Sequence, residues 1–132
     1  VFPEDRPRIV LIPPAPYDEL VFWTSGADLG IIPYENTSLN HLYCTPNKLW
    51  EYPNAGVPIL ATGLVEMAKM IHEFGTGILL PIDFSPTDIV SSIRSLSSSD
   101  LLRMKNNCQS FSANESWSKY EPKLHSLYSG MH

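Results

Sequence analysis

A chain of 132 residues, 43% hydrophobic and 17% charged, suits one globular domain around a modest core. Its net charge of -5 and the absence of any Lys/Arg run argue against a nucleic-acid groove or an anionic membrane surface, both of which need clustered positive charge. No apolar run approaches the roughly 20 residues of a spanning helix, and VFPEDRPRIV lacks the basic flank and apolar centre of a signal peptide, so the expectation is a soluble, cytoplasmic protein.

In chain order, Arg8 to Ile12 reads as a strand buried on both faces and closed by PPAP. Tyr17 to Ser25 reads as a short helix with Asp18 and Glu19 in its first turn, Leu20, Val21 and Trp23 or Thr24 on its apolar face, and Gly26 as its stop. Asp28 to Pro33 is the next expected strand. Tyr34 to Cys44, polar and aperiodic, reads as a long loop, and long loops at such positions are often functional. Thr45 is the expected N-cap of a helix with Pro46 in its first position; Pro53 must shorten or kink that helix, and Gly56 ends it.

Val57 to Ala61 gives a further strand. Leu64, Met67, Ala68 and Ile71 mark a helix ending at Gly75, and Gly77 to Pro81 the next strand. Ser85-Pro86-Thr87-Asp88 opens a helix with Ile89, Val90, Ile93 and Leu96 as its buried stripe. Ser99 is the expected start of another helix through Leu101, Leu102 and Cys108. Trp117, Tyr120, Leu124, Leu127 and Tyr128 outline a last amphipathic segment containing Pro122. Strands alternating with helices predict an α/β fold: a Rossmann-like parallel sheet of about four strands, flanked by helices and joined by right-handed crossovers. In such sheets ligands bind outside the carboxyl ends of the strands, which draws attention to Lys48 and Glu51 at the start of the helix from Thr45.

The segments ADLGIIPYENTSLN, PNKLWEYPNAGVPILAT and GTGILLP, with the late tryptophan of ESWSKY, together resemble the C-terminal half of GT-B glycosyltransferases, especially the retaining, family 4-like group (glycosyl transferases group 1). The resemblance covers nearly all of residues 1–132 and implies most of the nucleotide-sugar-binding C-terminal domain of a longer enzyme. It implies a K-x-x-E motif at Lys48 to Glu51, with Glu51 on the donor ribose, where two carboxylate oxygens can accept both hydroxyls of a cis diol. Thr45, Pro46 and Asn47 would then face a diphosphate or sugar hydroxyls at the helix start. Lys48 can approach the diphosphate or pair with Glu51 one turn away.

Two departures from the family pattern stand out. The first acid of the family's E-x7-E falls on Tyr43, so sugar recognition would pass to loop groups such as Asn36, Ser38, Asn40, the backbone or Glu35; Pro53 is the second departure. Arg6 and Arg8 are the early basic residues, and they do not line the glycine turn that the family carries beside the diphosphate. The implied reaction is transfer of a sugar from a nucleotide-sugar to a glycan or lipid-linked acceptor in polysaccharide or glycolipid assembly, with the acceptor held by a separate N-terminal domain. No cofactor or metal is expected, the isolated segment would be inactive, and the resemblance allows peripheral membrane association of the full enzyme. A GT-B-fold nucleotide-sugar epimerase and a non-enzymatic α/β interaction module are the alternatives.

Other constellations carry less. His41, His72, His125 and His132 have no metal-ligand spacing, and no G-x-S-x-G, P-loop or G-x-G-x-x-G occurs. His41 is a solvated loop histidine or a donor-loop group. Trp23, Trp50 and Trp117 fit core or interdomain surface better than a sugar-stacking set. Cys44 and Cys108 read as free, partly buried thiols, and SSIRSLSSSD as helix surface plus a cap.

Overall fold

A computed structural model describes residues 9–130 of the protein. After a 3-10 turn at Tyr17–Glu19 the elements are α1 (Leu20–Ser25), β1 (Gly30–Ile32), α2 (Leu39–Tyr43), α3 (Lys48–Asn54), β2 (Ile59–Thr62), α4 (Val65–Phe74), β3 (Gly77–Leu80), α5 (Pro86–Ser95), α6 (Ser98–Asn114) and α7 (Trp117–Ser129). The three strands form one parallel sheet in the order β1-β2-β3, with Gly30 opposite Ile59 and Ile59 opposite Gly77. The α/β class, the parallel sheet and the flanking helices are therefore those expected from sequence.

β2 is the central strand, and all four of its residues are buried, as a strand covered on both faces requires. Successive side chains point to opposite faces. Ile59 and Ala61 join Ile32, Leu49, Leu64, Met67 and Ile71 in one apolar cluster, while Leu60 and Thr62 take the other face. Two close approaches hold the layers. A Cβ on Gly77 would lie 2.1 Å from the Ile59 carbonyl oxygen, and one on Gly30 would lie 2.3 Å from the Tyr52 ring, so β3 packs against β2, and α3 against β1, at distances a side chain would prevent.

The sheet has three strands among the described residues rather than about four. The predicted strand at 8–12 is not formed: Ile9, Val10, Leu11 and Ile12 are exposed and lie in no strand, and Arg8, like Arg6, lies outside the described residues. An apolar run becomes a strand only when a neighbour accepts its backbone hydrogen bonds, and the prolines at Pro13, Pro14 and Pro16 remove donors just beyond it.

The loop expected from Tyr34 to Cys44 contains α2. Its N-cap Ser38 accepts a hydrogen bond from the His41 amide at 3.2 Å, and Leu42 packs against the core, which suffices for a helix too short to show a period. The next helix begins at Lys48, with Asn47 rather than Thr45 in the cap position and no side-chain cap. It is short, as Pro53 predicts, and Gly56 follows it with a φ of 75°.

Ser85 caps α5 through a reciprocal box with Asp88. The cap of α6 is Ser97, two residues before the expected Ser99, because only Ser97 has an acid three positions on, Asp100, to complete its box. The predicted stripe of α5 is only part-covered, since Val90 and Ile93 remain exposed. On α1, Leu20 and Thr24 are half-buried while Val21 and Trp23 face solvent.

The capping boxes make stability pH-dependent. The Ser85 hydroxyl donates to Asp88 Oδ2 at 2.6 Å and the Ser85 amide at 2.7 Å, holding that carboxyl below its ordinary value. Asp100 is lowered in the same way by the Ser97 hydroxyl and amide, with Arg103 adding to the effect. A folded-state pKa below the unfolded one contributes stability that is complete above the unfolded value, about 4, and is lost as pH falls through the lowered folded value. Thermal unfolding between pH 7 and pH 2.5 should therefore show the melting temperature falling below about pH 4. An Asp88→Asn, Asp100→Asn double variant should melt lower at pH 7 and fall less steeply; a parallel fall would show that the boxes do not contribute.

Candidate functional site

All three strands are parallel, so their carboxyl ends lie on one edge and the loops that follow them share it. The β1-to-β2 crossover leaves that edge after Ile32, passes through α2 and α3, and returns to the opposite edge before Ile59. The start of α3 thus lies on the carboxyl-end side and its end near the amino ends.

Packing fixes which side chains of α3 are used up. Leu49 and Pro53, four apart, are buried in the core. Trp50 meets Phe111 of α6 with ring centroids 5.5 Å apart, and Tyr52 covers Gly30. Of its charged side chains, both remain outward: Lys48, exposed, and Glu51, half-buried. They form no ion pair among the described residues, although their spacing would allow one. Asn40, Tyr43, Thr45 and Asn47 are exposed along the same stretch, and Pro46 is half-buried. The predicted site residues therefore occupy one continuous segment with polar groups unused by the core.

Tyr43, which stands where the resemblance expects an acid, is exposed at the end of α2. His41 is neither a free loop group nor beside a metal cluster, since no group of three or more His, Cys, Asp or Glu side chains among the described residues could hold a metal ion. Its Nδ1 lies 3.0 Å from the Glu35 carbonyl oxygen and 2.8 Å from Thr37 Oγ1. A carbonyl only accepts, so Nδ1 bears the hydrogen in that contact, and the histidine ties the post-β1 loop to α2.

Sequence reasoning missed the partner of that loop. A cleft of about 530 Å³ is lined by Glu35, Asn36 and Thr37 after β1 and by Ile82, Asp83, Phe84 and Pro86 after β3. None of Asn40, Tyr43, Thr45, Pro46, Asn47, Lys48 and Glu51 lines it. The signal was the turn IDFS between a strand and a capped helix, but its place opposite Asn36 depends on strand order. The central strand ends between these two loops at Thr62, whose buried Oγ1 has no hydrogen-bond partner among the described residues.

The remaining candidates are structural. Burial pushes the Cys108 thiol up to about 11, so it stays protonated; Cys44 is half-buried, and both are free. Trp23 and Trp117 are exposed rather than in the core, and only Trp50 is packed. The apolar stripe of α7 is open too, from Trp117 through Leu124 to Tyr128. No helix among the described residues is long and apolar enough to cross a membrane.

Comparison with known proteins gives one informative similarity. The chain is 33% identical over 82 residues to the Putative teichuronic acid biosynthesis glycosyltransferase TuaH of Bacillus subtilis (strain 168), an alignment covering 59% of this chain and 20% of that protein. The chain thus spans about a fifth of the length of this curated relative. No family model matches, and no solved structure matches. The similarity supports a glycosyltransferase relationship at a general level.

Proposed function

We propose that this chain is the donor-binding part of a glycosyltransferase of GT-B, family 4-like type, which transfers a sugar from a nucleotide-sugar to a glycan or lipid-linked acceptor with retention. The observation that carries the reading is the state of Lys48 and Glu51: two opposite charges one turn apart on α3, near the ligand-binding edge of a parallel sheet, left unpaired. The similarity to a protein named as a glycosyltransferase agrees with it.

In this reading Glu51 accepts both ribose hydroxyls, and each charge-assisted hydrogen bond contributes about 1.5–3 kcal/mol. Lys48 and the uncapped start of α3 face the diphosphate. During transfer the bond between the sugar's anomeric carbon and the phosphate oxygen breaks, the diphosphate takes the electron pair, and the acceptor oxygen forms the new bond and gives its proton to the departing phosphate oxygen. Positive charge fixed beside the leaving oxygens stabilises the transition state without a metal. The acceptor is bound by sequence beyond these residues.

Calorimetric titration of the natural full-length protein with UDP, GDP and ADP, and with their glucose or mannose conjugates, tests the reading. Saturable binding of at least one nucleoside diphosphate is expected. Absence of binding to every member of the panel would remove the donor-domain reading and favour an interaction module.

A further inference from the structure

We propose that His41 is a positioning residue for the donor-binding segment: it latches the loop after β1 to α2 and so holds Thr45 to Lys48 in place before any ligand arrives. The role rests on the donor-binding reading of that segment. It falls to a residue that touches neither ribose nor diphosphate in that reading.

The stretch from Pro33 to Asn47 has little of its own to hold it. It is mostly exposed, and its helix, α2, spans only Leu39–Tyr43. An isolated helix is marginal in water below roughly 12–15 residues, so α2 persists through contacts made beyond its own backbone. Tyr34 and Leu42 supply the apolar part by packing against the core.

The polar part converges on one residue. Among the described residues, every hydrogen bond that involves a side chain of this stretch has His41 as a partner. Its Nδ1 lies 3.0 Å from the Glu35 carbonyl oxygen and 2.8 Å from Thr37 Oγ1, reaching back into the post-β1 loop. Its amide donates to Ser38 Oγ, the cap of α2, at 3.2 Å. Its carbonyl accepts from the thiol of Cys44, the residue before Thr45, at 3.2 Å. The Tyr34 ring stands beside it, with centroids 5.8 Å apart. His41 thus links the exit of β1 to the entry of α3, and only the Nδ1 contacts and the ring depend on its side chain.

The two Nδ1 contacts are exposed, so water competes for both partners and they add little to global stability. Their effect is local, since they select one conformation from those an exposed loop samples. Ordering that loop at the moment of binding would subtract from affinity, and a latch that orders it beforehand removes the cost. Loss of the latch therefore shows in ligand affinity and local opening, and hardly in melting temperature.

The test compares wild type, His41→Ala and His41→Asn in the full-length protein, by calorimetry with UDP, GDP, ADP and their glucose or mannose conjugates, and by hydrogen exchange without ligand. The asparagine amide nitrogen hangs from Cγ as Nδ1 does and can donate to the same two acceptors. For a ligand that wild type binds, His41→Ala should raise Kd about 5-fold or more, and His41→Asn should stay within about 2-fold of wild type. In free His41→Ala, amide exchange should quicken across residues 35–47 and keep wild-type rates in β2 and α4, with the melting temperature lowered by less than about 4 °C. Unchanged Kd in His41→Ala would overturn the positioning role and leave the donor reading standing. Equal losses in the two variants would overturn the Nδ1 latch. Faster exchange in β2 and α4, or a larger fall in melting temperature, would assign His41 to the fold alone and overturn the proposal. Wild-type protein that binds no member of the panel would remove the donor reading and this role with it.

Discussion

Replacing Gly77 with alanine should cost at least about 3 kcal/mol of stability, near the upper end for an inserted methyl, and lower the melting temperature on the order of 10 °C. The new Cβ would stand 2.1 Å from the Ile59 carbonyl oxygen, 2.8 Å from its carbon and 3.0 Å from its Cα. All three are backbone atoms of the neighbouring strand, directly across the ladder. No rotamer change relieves such a contact, so β2 and β3 must separate where β2 carries the core. Gly30→Ala should be milder, because the Tyr52 ring that it meets can shift. Gly26→Ala, whose Cβ approaches nothing closer than 3.6 Å, should change stability by less than about 0.5 kcal/mol. Differential scanning calorimetry of the three variants checks the order; an unchanged Gly77→Ala melting temperature would contradict the strand spacing described above.

The second large effect is on binding. Glu51→Ala should weaken nucleoside diphosphate binding by about 1–3 kcal/mol, a loss of roughly 5- to 150-fold in Kd. Stability should hardly change, because Glu51 has no ion-pair partner to lose and its neighbours Leu49, Trp50 and Pro53 carry the packing of α3. Lys48→Ala should weaken the diphosphate forms and spare the nucleoside alone, since a point charge acts on the phosphates. Calorimetry separates these effects, and a Glu51→Ala protein with wild-type affinity would refute the ribose role.

Features whose causes are local were legible in the sequence. The Ser85 box, the left-handed Gly75 after α4 and the short helix around Pro53 each follow from residues within one turn. Ser97 was available on the same rule, and the adjacent serines of SSSD obscured it. Features whose causes lie across the fold were not legible. Ile9–Ile12 has the composition of a strand but no ladder neighbour, and Val90, Ile93, Trp117 and Leu127 have helical spacing but no covering surface among the described residues. For the site, Lys48 and Glu51 sit on one helix, and their spacing alone brings them out. Asp83 and Phe84 join Asn36 only because β2 stands between β1 and β3, and strand order is not written in any local pattern.

Ribose recognition in this proposal joins one carboxylate, Glu51, to one diol, and a thermodynamic cycle isolates that contact. Kd would be measured by calorimetry for the binding nucleoside diphosphate and its 2′,3′-dideoxy analogue, on wild type and on Glu51→Ala. The ribose assignment predicts that removing the hydroxyls costs wild type at least about 1 kcal/mol and costs Glu51→Ala almost nothing. Equal losses in the two proteins would contradict it.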